Sequence, residues 1–546
     1  MDKYIPPYQG KISPEFLGKA LERFEEYKSQ KYSLQKRIQE DNMWYKQQYG
    51  GDINPQTGNP EPTTGFIFSA IENKYADAMD SYPVPNVLER SDDDTEAARI
   101  ISEILPVQLE QSNFKEAYKK NWRRKLKHGT AAYGVFYNHK NEEISINVID
   151  LFNLYVDMNL EDIQQSQFLF ITNAIDNDVL KHMYPDYAEL FDGDCDVETA
   201  DGNVRIKDRT KVIDCYYKKP YEQGDGIVKK AVHMMKLVDG AIIDATEDME
   251  GYGEGLYLHG LYPVVLDVLY PEDNCPFGFG VVDTIKNPQS YIDKIDALVI
   301  KNAMISGKQR FIIRDNGGVN EKEFADYNND IIHCAGSVDD ESVRPFQAQS
   351  LPNFIMEHRN KKIDELKEIS GNRDFQQGGT NNGVTSGTAI TVLQESGAKL
   401  SRSMIDNSFD AYTKIVYIVI ELMREFYSNE RVYRIINDKG EREFVRFSNK
   451  MMYRETRDAF GILQDKEPIC FDVEIAAQKQ NPYSREAANN TLLSLWQAGV
   501  FVNNDINSAC ALLECMNFEG KEKLIRHMET IKAKQAQEGE AYGQGQ

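Results

Sequence analysis

Residues 287–307 read NPQSYIDKIDALVIKNAMISG and residues 352–371 read PNFIMEHRNKKIDELKEISG, and the reading of the fold turns on this pair. In the first, Asn287 supplies a cap and Pro288 a first-turn proline. Tyr291, Ile292, Ile295, Leu298, Val299 and Ile305 then follow a helical period until Gly307. In the second, Pro352 opens a helix of similar length that runs to Ile369 and is closed by Ser370 and Gly371. Residues 308–347 between them carry two apolar strand-like pieces around turn signals, so two helices bracket a small αβ insert.

On the C-terminal side, residues 372–387, NRDFQQGGTNNGVTSG, are rich in Gly, Asn, Gln and Thr and predict a polar loop with almost no apolar anchor. A long helix is predicted from Thr388 to about Ser428, roughly 60 Å at 1.5 Å per residue. Its apolar positions Ile405, Phe409, Tyr412, Val416, Val419, Met423 and Phe426 step by four and three, which predicts a buried seam, and Gly397 predicts a bend. Strand-like pieces follow at 430–447 and 468–478. Pro482 then opens a helical tail to about Lys534, and the final AKQAQEGEAYGQGQ reads as disordered.

On the N-terminal side, residues 14–48 predict one or two amphipathic helices, and Thr64 to Ala78 another. Ser91 to Glu96 supplies a cap and first-turn acids for a further helix. Short β-rich pieces occupy 131–138, 143–157, 167–175, 204–219 and 227–238, which together predict antiparallel sheet in an α+β body. Before them lies YKKNWRRKLKH (118–128), on a helix ended by Gly129. It is read first as a solvated or subunit-contact face and second as a phosphate contact.

Composition narrows the function. The 546 residues are 41% hydrophobic and 27% charged, an ordinary soluble balance for a chain long enough for several domains. With 63 Lys plus Arg against 87 Asp plus Glu, the net charge of −24 argues against tight static binding of DNA by bulk charge. Seven cysteines without a C-x-x-C pair, and no secretory segment, predict a reducing compartment. The apolar run Ile415 to Ile420 falls far short of the roughly 18 residues of a membrane span.

Catalytic signatures fail on inspection. Gly307-Lys308 lacks the first glycine of a phosphate loop, since Asn302 stands there, and Gln309 replaces the magnesium-binding Ser or Thr. Gly251, Gly253 and Gly255 have no helix behind them. Asp192, Asp194 and Asp196 imitate a calcium loop, but Val197 and Asn203 stand where the turn glycine and the bidentate Glu belong. The eight histidines include no H-x-x-x-H pair, so no metal or other cofactor is expected.

The order of parts resembles the portal proteins of tailed bacteriophages. Local stretches resemble that family too: HGTAAYGVFYN with NVIDLFNLYVD, SQFLFITNAIDNDVLKHMYPDY, YPVVLDVLYPEDNCPFGFGVVDTIKNPQSYIDKID, and GVTSGTAITVLQESGAKL. The resemblance spans roughly residues 14–532, and its specificity lies in the sequence of parts, since each motif alone is degenerate.

The resemblance implies an elongated portal-type α+β subunit. Residues 1–285 and 429–482 would form an α/β wing, and 286–306 and 352–371 a two-helix stem around an αβ clip at 307–351. Residues 372–387 would be a tunnel loop, 388–428 the long wing helix, 483–534 a helical crown and 535–546 a disordered tail. It further implies a non-enzymatic ring, usually of twelve copies, at one capsid vertex of the virion, assembled in the host cytoplasm. Double-stranded DNA would pass through it in packaging and ejection, without sequence specificity. Expected partners are the major capsid protein, with scaffold as a further candidate, the terminase large subunit and then a head-tail adaptor; no membrane partner is expected.

By position, Arg373, Gln376, Gln377, Thr380, Asn381, Asn382 and Thr385 would face DNA, and Arg310, Arg314, Lys322 and Glu323 of the clip would meet motor and adaptor. Twelve copies at −24 each, about −288 in all, repel phosphates, and neutral amides and hydroxyls exchange contacts readily, as a conduit requires. The competing readings are another head-tail connector ring of the virion and, from a different class, a metal-dependent nucleic-acid enzyme.

Overall fold

Ser13 Oγ accepts a hydrogen bond from the Phe16 N–H at 3.3 Å and Pro14 fills the first turn, so the N-terminal segment enters the helix Pro14–Gln30. A second helix, Tyr32–Tyr45, follows it. The computed structural model describes residues 8–51, 53–54, 58–223, 227–307, 310–313, 318–326, 331–335, 343–346, 351–371, 399–436, 442–457, 463–479, 482–497, 506–516, 524 and 527–528. Over these residues the architecture is mixed α and β, as predicted. Two units are distinguished: residues 1–39, 72–280 and 399–546, and residues 40–71 and 281–398.

The first unit contains a five-stranded antiparallel sheet in the order Ala241–Ala245, Ile227–Val238, Arg209–Gln223, Phe168–Asp176, Leu154–Tyr155. Alternation gives it two apolar faces. Cys215, Tyr217, Met235 and Leu237 meet Ala20, Phe24 and Tyr27 of the first helix, while Val212 and Val238 meet Leu180, Leu190 and Phe191 on the other side.

A three-stranded antiparallel sheet, in the order Val264–Val268, Thr130–Asn138, Glu143–Ile149, packs with the helix Phe114–His128, on which the helix Thr95–Gln111 rests, and with the helix Lys399–Phe426. The last of these is the described part of the long helix; residues 388–398, with Gly397, lie outside the described residues. Its buried surface differs from the predicted seam, since Ile405, Phe409 and Phe426 are only half-buried while other positions are enclosed. Beyond Tyr412, Val416, Val419 and Met423 it buries Ala411, Ile415, Ile418, Ile420 and Leu422, as befits a helix enclosed on most sides. That enclosure accounts for the apolar run at 415–420.

Several boundaries differ from the sequence reading. The first helix of the bracketing pair runs Val281–Ser306, so Pro288 lies inside it, and the buried Val281, Val282 and Ile285 anchor the added turn. The 204–219 piece divides at Asp208, whose φ of 54° makes a turn between Gly202–Ile206 and Arg209–Gln223. Asp92–Asp94 forms a 3-10 turn, and Asp94 is drawn to Arg454 at 2.9 Å instead of capping the helix that follows. Ser81–Glu89 is a strand the sequence reading passed over, paired antiparallel with Phe471–Lys479. Its Pro83 and Pro85 hide the strand pattern, because proline is tolerated where a ladder has a free side.

Candidate functional site

In the second unit the helices Val281–Ser306 and Asn353–Ser370 pack antiparallel. Arg359 binds Asp296 through two parallel N–H donors, the Nη2 to Oδ2 contact being 2.9 Å, while Lys362 lies over the Tyr291 ring at 5.8 Å. A fork-to-fork pair of this kind fixes register as well as contributing energy. Gly371, at φ 72°, ends the second helix in the left-handed conformation expected of it.

Residues 49–67 buttress the first of these helices. Asp293 accepts from Tyr49 Oη at 2.6 Å and from Thr64 Oγ1 and N at 2.7 and 3.1 Å, and Gln289 Oε1 accepts from the Ile67 N–H at 3.0 Å. Burial pushes the Asp293 carboxyl up while these donors hold it down. The sequence reading did not foresee this contact, since only the later turn of a hydrophilic Gly/Pro-rich stretch brings Tyr49 and Thr64 to one carboxylate.

The insert between the helices pairs Arg310–Ile313 with Val343–Phe346, Arg310 opposite Phe346. The short helix Glu321–Ala325 sits between these strands in sequence, with Phe324 edge-on to Phe311 at 4.7 Å. Lys322 and Glu323 are therefore on one exposed helical turn. Glu323 accepts from the His333 N–H at 2.8 Å and meets His333 Nδ1 at 2.9 Å, contacts that hold its carboxyl below the ordinary value. Arg310 is described only in its backbone. Arg314, Arg373, Gln376, Gln377, Thr380, Asn381, Asn382 and Thr385 lie outside the described residues.

The basic run 118–128 turns one lysine inward. Lys125 is fully buried on the helix Phe114–His128, 2.6 Å from Asp267 Oδ1 and 2.6 Å from Ser408 Oγ, with Trp122 buried beside it. Ser408 in turn donates to Asp267 Oδ2 at 2.9 Å. Burial lowers the Lys125 ammonium and Asp267 opposes that shift. A lysine on a serine hydroxyl is also a nucleophile-base arrangement, but Lys125 and Asp267 are 0% and 2% exposed, so no substrate can reach it. Toward the surface Arg123 meets Glu72 at 3.2 Å, Arg124 meets Asp150 at 3.3 Å and Lys120 meets Glu116 at 2.6 Å. Lys120, Arg123, Arg124 and Lys125 of the run are thus each paired within the chain.

Two further titratable groups sit at the far end of the long helix. Glu425 accepts the Leu258 N–H at 3.1 Å, and burial raises its carboxyl to about 7. His259, next in sequence, is pushed down to about 4 by burial and by Lys218 and Arg424. All seven cysteines are free thiols. Among the described residues no group of three or more His, Cys, Asp and Glu is placed to hold a metal, and no helix is long and apolar enough to cross a membrane.

Residues 76–546 match the family model described as phage P22-like portal protein. The match takes in the body strands, the bracketing helices with their insert, the long helix and the C-terminal helices, and leaves the two N-terminal helices and the 49–67 buttress outside. No curated protein gives a significant match to the chain.

Proposed function

The chain belongs to the phage P22-like portal protein family, a structural family of the capsid vertex, and from that premise we propose a ring of twelve copies that conducts double-stranded DNA in packaging and ejection. The family match over residues 76–546 carries this reading. Residues 281–306 and 353–370 act as the stem, the insert as the clip, and residues 372–387 as the loop that touches DNA. Arg373 supplies that loop with one cation and Gln376, Gln377, Thr380, Asn381, Asn382 and Thr385 supply neutral groups, which grip a phosphate backbone weakly enough to let it slide.

The clip carries Arg310, Arg314, Lys322 and Glu323 to the terminase large subunit during packaging and to a head-tail adaptor afterwards. The wing meets the major capsid protein, and scaffold during assembly in the host cytoplasm. Deletion of residues 376–385 tests the conduit: rings should still form while packaged DNA falls. A normal yield of packaged DNA from that variant would remove the loop from the DNA path.

A further inference from the structure

An acidic chain that closes into a ring faces a repulsion problem. Each copy brings −24, so neighbours repel unless cationic surface is placed at the seam. A closed ring also needs two different patches on every copy, because each subunit meets one neighbour with one side and the next with another.

The hairpin Arg431–Ile436 with Arg442–Phe447 has the character of one such patch. Its register sets Val432 opposite Arg446 and Arg434 opposite Phe444, so these four side chains share a face. Tyr433, Ile435 and Phe447 point the other way and are buried, with Tyr433 donating to Gln108 at 2.8 Å. Val432 is 61% and Phe444 66% exposed. Two apolar side chains interleaved with two arginines, in a chain this acidic, form a surface suited to an anionic partner with an apolar element. Arg446 currently leans on Glu430 at 3.3 Å, a pair 75% and 58% exposed and easily exchanged.

The complementary patch is on the same chain. The hairpin Cys195–Thr199 with Gly202–Ile206 pairs Asp196 with Arg205 and Glu198 with Asn203, and all four are exposed on its outer face. This hairpin is borne by the helix Tyr32–Tyr45, through Gln35 on Glu198 at 2.7 Å, and by the strand Arg209–Gln223. The basic hairpin is borne by the helix Thr95–Gln111. Different elements thus present the two faces.

We infer that the Val432–Arg434–Phe444–Arg446 face of one copy docks on the Asp196–Glu198–Arg205 face of the next copy. Arg434 and Arg446 meet the two carboxylates, and the Arg205 guanidinium lies against Phe444. The inference rests on the ring proposed above and specifies one contact that closes it.

The test uses the full chain in three forms beside wild type: R434E/R446E, D196R/E198R, and the four substitutions combined. All four positions are exposed, but E198R gives up the Gln35 contact at 2.7 Å, so the melting temperature of every form is taken, and R434E/R446E, which leaves that contact in place, carries the test on folded protein. Sedimentation and electron microscopy should show rings from wild type and about tenfold less ring from either double variant at equal concentration. The combined form should recover rings. Undiminished rings from R434E/R446E, or a loss that the combined form does not restore, would overturn the docking. Rings intact but absent from capsids would assign the face to the capsid protein instead and overturn it equally. Wild-type protein that never forms rings would contradict the ring itself, a failure distinguishable from the other two.

Discussion

Nζ of Lys125 lies 2.6 Å from Oδ1 of Asp267, with both side chains out of contact with solvent. Lys125 comes from the helix Phe114–His128, Asp267 from the edge strand Val264–Val268, and Ser408 of the long helix bonds to both. One charge pair therefore ties together three elements whose residues are up to 283 positions apart in sequence. Charges taken out of water are held only when every donor and acceptor is answered, and here Ser408 and the Met404 carbonyl complete the set.

Asp267→Asn should destabilise the protein by about 3–5 kcal/mol, because it leaves a buried ammonium facing a neutral amide. The double replacement Lys125→Met with Asp267→Leu should cost far less than either single change. Urea denaturation of wild type, Asp267→Asn, the two single changes and the double variant checks this, and a double variant as unstable as the singles would show that the pair is more than a satisfied charge.

Gly129→Ala should cost about 2–4 kcal/mol. Gly129 ends the helix Phe114–His128 at φ 80°, and an added Cβ would stand 2.2 Å from the Phe279 carbonyl carbon, which is backbone and cannot swing aside. The melting temperature of the purified variant reads the effect. The same exchange at Gly51, where a Cβ would meet nothing within 4 Å, is the neutral control.

Glu425 makes stability depend on pH. Its carboxyl is raised to about 7 in the fold, above the ordinary 4.5. Its contribution is therefore complete below pH ~4.5 and is lost as pH rises toward 7, because the unfolded chain ionises there first. The loss reaches about 3 kcal/mol across that window. His259, lowered to about 4, acts with the opposite sign as pH falls below 6.5, so the Glu425 contribution is isolated by comparing wild type with Glu425→Gln. Glu425→Gln should gain on wild type steadily between pH 5 and 7, and parallel curves would contradict the assignment.

Charge reversal at Arg310, Arg314 and Lys322 should weaken capture of the terminase large subunit while leaving the bracketing helices intact, since Arg359 and Asp296 hold them independently. A pull-down reads the binding and circular dichroism the helices. Unchanged capture would move the docking surface off the insert.

Much of the architecture was legible because local rules and tertiary demands agree. Pro14, Gly129 and Gly371 mark helix ends, and the β-rich run from Ile227 to Val238 marks a strand that the structure keeps residue for residue. The misread pieces are those where a partner distant in sequence decides. Ser81–Glu89 is a strand only because Phe471–Lys479 pairs with it. Asp94 leaves its capping role for Arg454, and the Lys125 ammonium is buried because Asp267 and Ser408 wait for it. The helical period places Lys125 three residues after Trp122 and seven after Tyr118, on the buried face, unlike the exposed Lys119 and Lys120, but a charged side chain on that face is explained only by its distant partners. Of the candidate site, the paired helices and the strands of the insert between them were legible in their order, while the buttress of Tyr49 and Thr64 on Asp293 depends on a Gly/Pro-rich connection whose path has no sequence period.

The central claim is a ring with a channel, and imaging the purified full-length protein by negative-stain electron microscopy tests it most directly. The account predicts annular particles of a single rotational symmetry, with a central channel wide enough for a DNA duplex. Monomers or compact dimers at every concentration examined would contradict it.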